Sequence, residues 1–428
     1  MAGKKHLIIG AGSAGLNAAE EIRRISAEDV IKIVSAEDFA PYSPTVLPYL
    51  LSGRIDESTL AMRQEGYFER LNATFVRGKE AIRIFPEKKE VLFRDGEREA
   101  YDALLIAAGA DSSRPEIKGL GGGYQGIHTL DDCRRLLQRL RGNSDVAILG
   151  AGLVAVEVAI ALAERGCRVT LIVRSRILRV YFDENADGII KDILTANGIH
   201  VLYRKGVEAV KRSGEKVEIA FPDGEPLAAD ELLICTGVRA RMGFVTGSGI
   251  KVNEGIIVDR RMQTTIEGIY AAGDIAEAPD FFTGRSGMNQ IVETAMDGGR
   301  VAGSNMAGIQ AEYEGWISSN VFHFFGHTSF TAGLAQPAGD GYEILAEKDA
   351  GKARYKKLVF KDNRLVGTML IDVECDPGVL LYLIREKVDL EEEKRQLFEK
   401  PQETSRRLML QAEKRQGASI EDHRSKLR

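Results

Sequence analysis

Two glycine-rich runs carry residue types at spacings that suit one kind of chemistry, the holding of a dinucleotide pyrophosphate. The first is HLIIGAGSAGLNAAE, in which Gly10, Gly12 and Gly15 follow the apolar run Leu7–Ile9. Gly10 permits a tight turn, Gly12 lets phosphate approach the backbone, and Gly15 lets a helix pack closely on a strand. The helix is expected from Ser13, so amides of Ser13, Ala14 and Gly15 point at an anion from a positive helix end. An acid ending the next strand, Val30–Val34, would accept ribose hydroxyls. Ser35 stands in its usual place and Glu37 two residues later, so Glu37 is the candidate, with a solvated loop acid as the alternative.

The second run is DVAILGAGLVAVEVAIALAERGCRVTLIVRSR. Gly150, Gly152 and Ala155 follow the strand Val146–Leu149, and Leu153, Val154 and Glu157 lie on the helix that opens there. Its second strand, Arg168–Val173, ends without an acid and is followed by Arg174 and Arg176. A carboxylate there would repel a 2′-phosphate, whereas arginines can bind one. Both arginines are otherwise plain surface charges, and NADH and NADPH stay open as ligands.

These loops need parallel strands and covering helices to hold them, so the expected fold is α/β with two Rossmann-like domains. At 428 residues the chain is too long for one core. With 44% hydrophobic and 28% charged residues and a net charge of −5, it has ordinary globular composition and no general attraction to nucleic acid. No apolar run reaches the roughly 18 residues that span a bilayer. MAGKKHLIIG runs into glycines too early for a secretory signal, so a cytoplasmic protein without membrane insertion is expected. The four cysteines, Cys133, Cys167, Cys235 and Cys375, form no CxxC pair. His323 and His327 lie in a segment that reads as strand, where packing is favoured over metal.

At YDALLIAAGA (Tyr101–Ala110) and GIIVDRRMQTTIEGIYAAGDIAE (Gly255–Glu277) the chain resembles the pyridine nucleotide–disulfide oxidoreductase superfamily. The resemblance implies FAD on the first fingerprint, with Asp274 on the ribityl chain and Ala81, Ala108 and Gly109 beside the cofactor. It implies NAD(P)(H) on the second, with Gly237 near it and Glu157 near the nicotinamide. VETAMDGGRVAGSNMAG looks like the helix whose first amides, at Val292, Glu293 and Thr294, face the flavin pyrimidine, with Gly298 and Gly299 close to the ring. The implied layout is FAD domain 1–118, inserted NAD(P) domain 119–245, FAD domain resumed 246–312, an α+β interface domain 313–388 and a charged helical tail 389–428. Disulfide-reducing relatives place a cysteine beside the flavin. Here the stretch FAPYSPTVLPYLLSG resembles the equivalent one of rubredoxin reductases and of the NADH-oxidising part of nitrite reductases, and Thr45 takes the cysteine place, so thiol chemistry is not expected.

The expected activity is therefore an FAD-dependent NAD(P)H oxidoreductase whose flavin does the chemistry. The expected partner is an iron–sulfur protein, rubredoxin or ferredoxin, or subunits of a redox complex such as a 2-oxoacid dehydrogenase, with a homodimer open as well. Alternatives are a small acceptor (quinone, oxygen, polysulfide) and a non-enzymatic FAD scaffold. In the tail, Pro401 should separate two helices, one ending at Lys400 and one spanning about 403–416 with Gly417 as its stop. A partner subunit and the protein's own body are equally open as what orders it.

Overall fold

The computed structural model describes residues 3–121 and 124–426, with side chains through Lys414. The chain forms two compact units. One holds the chain up to Pro115, Gln125–Leu140 and Thr236–Ile317; the other holds Glu116–Tyr124, Arg141–Cys235 and the chain from Ser318 on.

The first unit is organised by a five-stranded parallel sheet. Its order is Ile269–Ala271, Ala103–Ile106, Lys5–Ile9, Val30–Val34, Ala73–Val76. The central strands are continuous apolar runs because helices and loops cover both faces; Ile8, Ile33, Leu104 and Ile106 have no exposed surface. Ile9 pairs with Val34 on one side and Ile106 on the other. The chain thus leaves all three strands at one edge, at Gly10, Ser35 and Ala107. Helix Ser13–Ile25 packs against helix Val292–Met306. A Cβ on Gly299 would lie 2.3 Å from the Ala14 carbonyl oxygen, and one on Gly303 2.6 Å from that of Ala18. This corrects the placing of Gly298 and Gly299 beside a flavin ring. Gly299 is the helix crossing, and Gly298 faces the Met262 Cε at 3.0 Å.

The second unit repeats the pattern. Its four-stranded parallel sheet runs His200–Tyr203, Arg168–Val173, Asp145–Leu149, Glu231–Ile234. Each sheet is accompanied by a three-stranded antiparallel meander, Ala81–Phe85 to Arg98–Ala100 in one unit and Ala209–Ser213 to Leu227–Ala229 in the other.

The second unit also contains a five-stranded antiparallel sheet from Ser319–Phe324 to Arg364–Ile371. Asp183 fastens this sheet to the parallel one. It caps helix Glu184–Ala196 and accepts hydrogen bonds from Tyr355 Oη at 2.8 Å and Lys357 Nζ at 3.1 Å. His327 pairs with Asp372 and His323 with Thr328. Among the described residues no cluster of three or more histidine, cysteine or acidic groups could hold a metal.

The tail packs on its own unit: Leu397, Thr404, Ser405 and Leu408 are buried, and Arg407 pairs with Glu393 at 2.6 Å. Pro401 opens the last helix at the position where its missing N–H costs nothing. That helix runs Pro401–Lys426, past the expected stop at Gly417. A single glycine costs a helix only about 1 kcal/mol.

Candidate functional site

The first fingerprint has the geometry its glycines were expected to supply. Gly10 has φ +113°, and a Cβ there would lie 2.0 Å from the Ala107 carbonyl oxygen. A Cβ on Gly15 would lie 2.0 Å from the Gly10 carbonyl oxygen. Gly12 differs: a Cβ on it would meet nothing within 4 Å. Gly10 and Gly15 are therefore glycines for the protein's own packing, and Gly12 faces open space. That space lies over the start of helix Ser13–Ile25, which has no side-chain cap and no acid in its first turn. Its leading amides remain for an anion.

The residues gathered around this edge are polar. Asp274 follows the strand Ile269–Ala271 and has no side-chain hydrogen bond or ion pair among the described residues. Burial raises its carboxyl above the usual range, opposed by the charge of His128. A partnerless, desolvated carboxyl is costly unless a ligand supplies donors, and ribitol hydroxyls are donors of that kind. Glu37 is half-buried, and one of its oxygens accepts a 2.6 Å bond from Tyr42 Oη. Tyr42 in turn accepts the Leu130 N–H at 2.9 Å. Burial and the Glu37 carboxylate push the Tyr42 phenol up, so it stays a neutral donor. Ala108 and Gly109 follow Ala103–Ile106, Gly109 with φ +69°; Ala81 opens the meander, buried.

Val292 is exposed at the start of helix Val292–Met306, with Glu293 and Thr294 half-buried. Asn289 donates to Thr294 Oγ1 at 2.8 Å and Gln290 to the Asp274 carbonyl at 3.4 Å, so the loop before the helix is tied to the strand end that carries Asp274. Tyr42, His128, Asn289 and Gln290 were not identified from sequence. Only Asn289 and Gln290 had a signal, their place just before the helix.

In the second unit Gly150 has φ +132°, and Gly152 again faces open space at the start of helix Leu153–Glu164, while Ala155 is buried. Leu153 is half-buried and Val154 exposed. Glu157, one turn in, is pushed up to about 7 by burial and has no side-chain partner among the described residues. Arg174 is exposed and unpaired among those residues. Arg176 is half-buried and donates to Gln336 Oε1 at 3.5 Å. A cavity of about 320 Å³ is lined by Asp145, Arg168 and His200, at the amino ends of these strands. Dinucleotides bind at carboxyl ends, so it is not the fingerprint site. Gly237, with φ +110°, falls in the first unit, where its carbonyl accepts the Ser113 N–H.

The thiols are poorly suited to chemistry. Burial pushes Cys133 up to about 12 and Cys375 up to about 11, and raises Cys167; Cys235 is buried. Thr45, in place of a redox cysteine, is exposed and hydrogen-bonded to Ser43. No helix among the described residues is long and apolar enough to cross a membrane.

Residues 4–299 match the family described as "Pyridine nucleotide-disulphide oxidoreductase". The chain is 34% identical over 413 residues to the NADH-dependent phenylglyoxylate dehydrogenase subunit epsilon of Aromatoleum evansii, covering 95% of this chain and 97% of that one. Its fold is similar to that in the putidaredoxin reductase–putidaredoxin complex, with TM-score 0.83, 20% identity and coverage of 91% and 94%. It is also similar to an engineered water-forming NADPH oxidase bound to NADPH, with TM-score 0.81, 23% identity and coverage of 90% and 91%. Three consecutive substitutions in that engineered protein replace aspartate, alanine and methionine by alanine, arginine and serine.

Proposed function

The chain belongs to the pyridine nucleotide-disulphide oxidoreductase family, and on that footing we propose that it is an FAD-dependent NAD(P)H oxidoreductase serving as the flavin subunit of a larger redox assembly. Its partner is an iron–sulfur, rubredoxin- or ferredoxin-type protein, and its location cytoplasmic. The observation that carries the reading is the pair of open glycine cradles, one per unit, with the carboxyl of Asp274, partnerless among the described residues, beside the first. The relative of nearly equal length that is itself a dehydrogenase subunit supports the assembly role.

When bound, FAD accepts a hydride from a nicotinamide and passes electrons on singly, which is the cofactor's own chemistry. The chain binds and orients. Amides of Ser13, Ala14 and Gly15 would hold the pyrophosphate, Asp274 the ribityl hydroxyls, and Glu37, steadied by Tyr42, the adenosine ribose. The positive start of helix Val292–Met306 favours negative charge near Val292–Thr294. Asn289 occupies the Thr294 hydroxyl, so that turn offers backbone amides. Glu157 is the one acid of the second fingerprint helix's first turns, and a carboxyl near neutrality there can hold a proton beside a nicotinamide.

No acid ends Arg168–Val173 to repel a 2′-phosphate, and Arg174 and Arg176 follow it, although the phenylglyoxylate dehydrogenase relative is NADH-dependent. The decisive experiment is purification from the native source with identification of copurifying subunits, beside turnover of the isolated chain. Copurifying iron–sulfur subunits support the assembly role. Rapid turnover of the isolated chain with quinone or oxygen, and no copurifying subunit, refutes it.

A further inference from the structure

Two acids follow the arginines of the loop after Arg168–Val173, Asp183 at the cap of helix Glu184–Ala196 and Asp187 within its first turn, and both are engaged elsewhere. Asp187 accepts the Ile177 N–H at 2.7 Å and the Tyr203 hydroxyl. Asp183 is taken by Tyr355, Lys357 and its own helix cap. Neither Arg174 nor Arg176 has an ion pair among the described residues. What Arg176 meets instead is a neutral amide from the antiparallel-sheet region, Gln336. Gln336 Oε1 accepts from Arg176 Nη2 at 3.5 Å, while its Nε2 donates to the carbonyls of Arg179 at 3.1 Å and Val180 at 3.3 Å.

One side chain thus braces the loop by its backbone and orients its half-buried arginine without neutralising it. A carboxylate at this place would cancel the charge; an alanine would leave the guanidinium free to rotate. An anion site needs a cation held in place with most of its donors unspent. Arg176 uses one of its five N–H donors on Gln336. Resting on the reading that the second fingerprint binds a nicotinamide dinucleotide, we propose that Gln336 is a specificity-determining positioning residue that holds Arg176 for the 2′-phosphate of NADPH.

The test is rapid reduction of the flavin in the holoprotein by NADH and by NADPH, with the dissociation constant separated from the limiting rate. Gln336→Ala should raise the NADPH constant about tenfold, roughly the loss of one well-oriented charge-assisted contact, and leave the NADH constant and both limiting rates within about twofold. Gln336→Glu should weaken NADPH further, because the new carboxylate pairs with Arg176 and repels phosphate. In an Arg176→Ala background, Gln336→Ala should add nothing to the NADPH loss. Equal weakening of both nucleotides, or a further loss in that background, shows a merely structural brace and overturns the proposal. A wild type with no measurable NADPH binding but efficient reduction by NADH also overturns it while leaving the proposed function intact. Reduction by neither nucleotide sinks both.

Discussion

Asp274→Asn should move the stability of the flavin-free protein and the affinity for FAD in opposite directions. The carboxyl is half-buried, lacks a hydrogen-bond partner among the described residues, and is shifted upward by burial. A raised carboxyl makes the folded state bind a proton more readily than the unfolded chain. Its contribution is then most favourable in acid and is lost as pH rises through the shifted value. Asparagine has no charge to desolvate, so at about pH 8 the flavin-free variant should resist urea at least as well as the wild type, and the difference should shrink as the pH falls toward about 4, the ordinary aspartate range. For the ligand the balance reverses. A hydrogen bond to a charged acceptor is worth about 1.5–3 kcal/mol, so loss of the charge should weaken FAD about 10- to 100-fold. Fluorescence titration of flavin-free protein with FAD gives the second quantity and urea unfolding the first. Unchanged FAD affinity would remove Asp274 from the site. A flavin-free variant less stable than wild type at about pH 8 would refute the desolvation argument.

Gly12 and Gly15 should separate in the same assays. Gly15→Ala drives a Cβ into the Gly10 carbonyl oxygen and should cost the flavin-free fold about 1–3 kcal/mol, whereas Gly12→Val should leave its melting temperature nearly unchanged yet abolish FAD retention; equal melting losses would contradict the two roles. Glu157, pushed up to about 7 by burial, should make the wild type lose stability relative to Glu157→Gln as pH rises from about 4.5 through about 7, by up to about 3 kcal/mol; parallel pH profiles in urea unfolding would show that the carboxyl is not desolvated. Reductive titration should take up two electrons per FAD with no long-wavelength thiolate band, because the thiols at Cys133, Cys167 and Cys375 are raised; uptake of four electrons would reveal a redox disulfide.

Both nucleotide fingerprints were legible in the sequence because they are local. A glycine demanded by a turn, an apolar strand before it and a helix after it all fall within some fifteen residues, and helix Ser13–Ile25 and strands Val30–Val34 and Arg168–Val173 begin where that pattern places them. The superfamily resemblance at Tyr101–Ala110 and Gly255–Glu277 added Asp274. What each glycine touches was not legible. Gly298 and Gly299 carry the same letter as Gly12, yet Gly299 admits the backbone of another helix and Gly12 admits open space. The tail read as a charged segment equally open to a partner and to the protein's own body, and only packing showed Leu397 and Leu408 buried on its own unit. The groups that tune the candidate sites were also silent. Leu130 reaches Tyr42 across 88 positions and Gln336 reaches Arg176 across 160. No period or spacing encodes such pairs, because the chain brings them together only once its sheets are assembled. The sequence determined the two glycine turns and the absence of a cysteine at Thr45, since backbone conformation and side-chain chemistry are properties of the local residues. Tertiary structure decided which carboxyls stand desolvated and which arginine is held, since burial and long-range hydrogen bonds are properties of the folded chain.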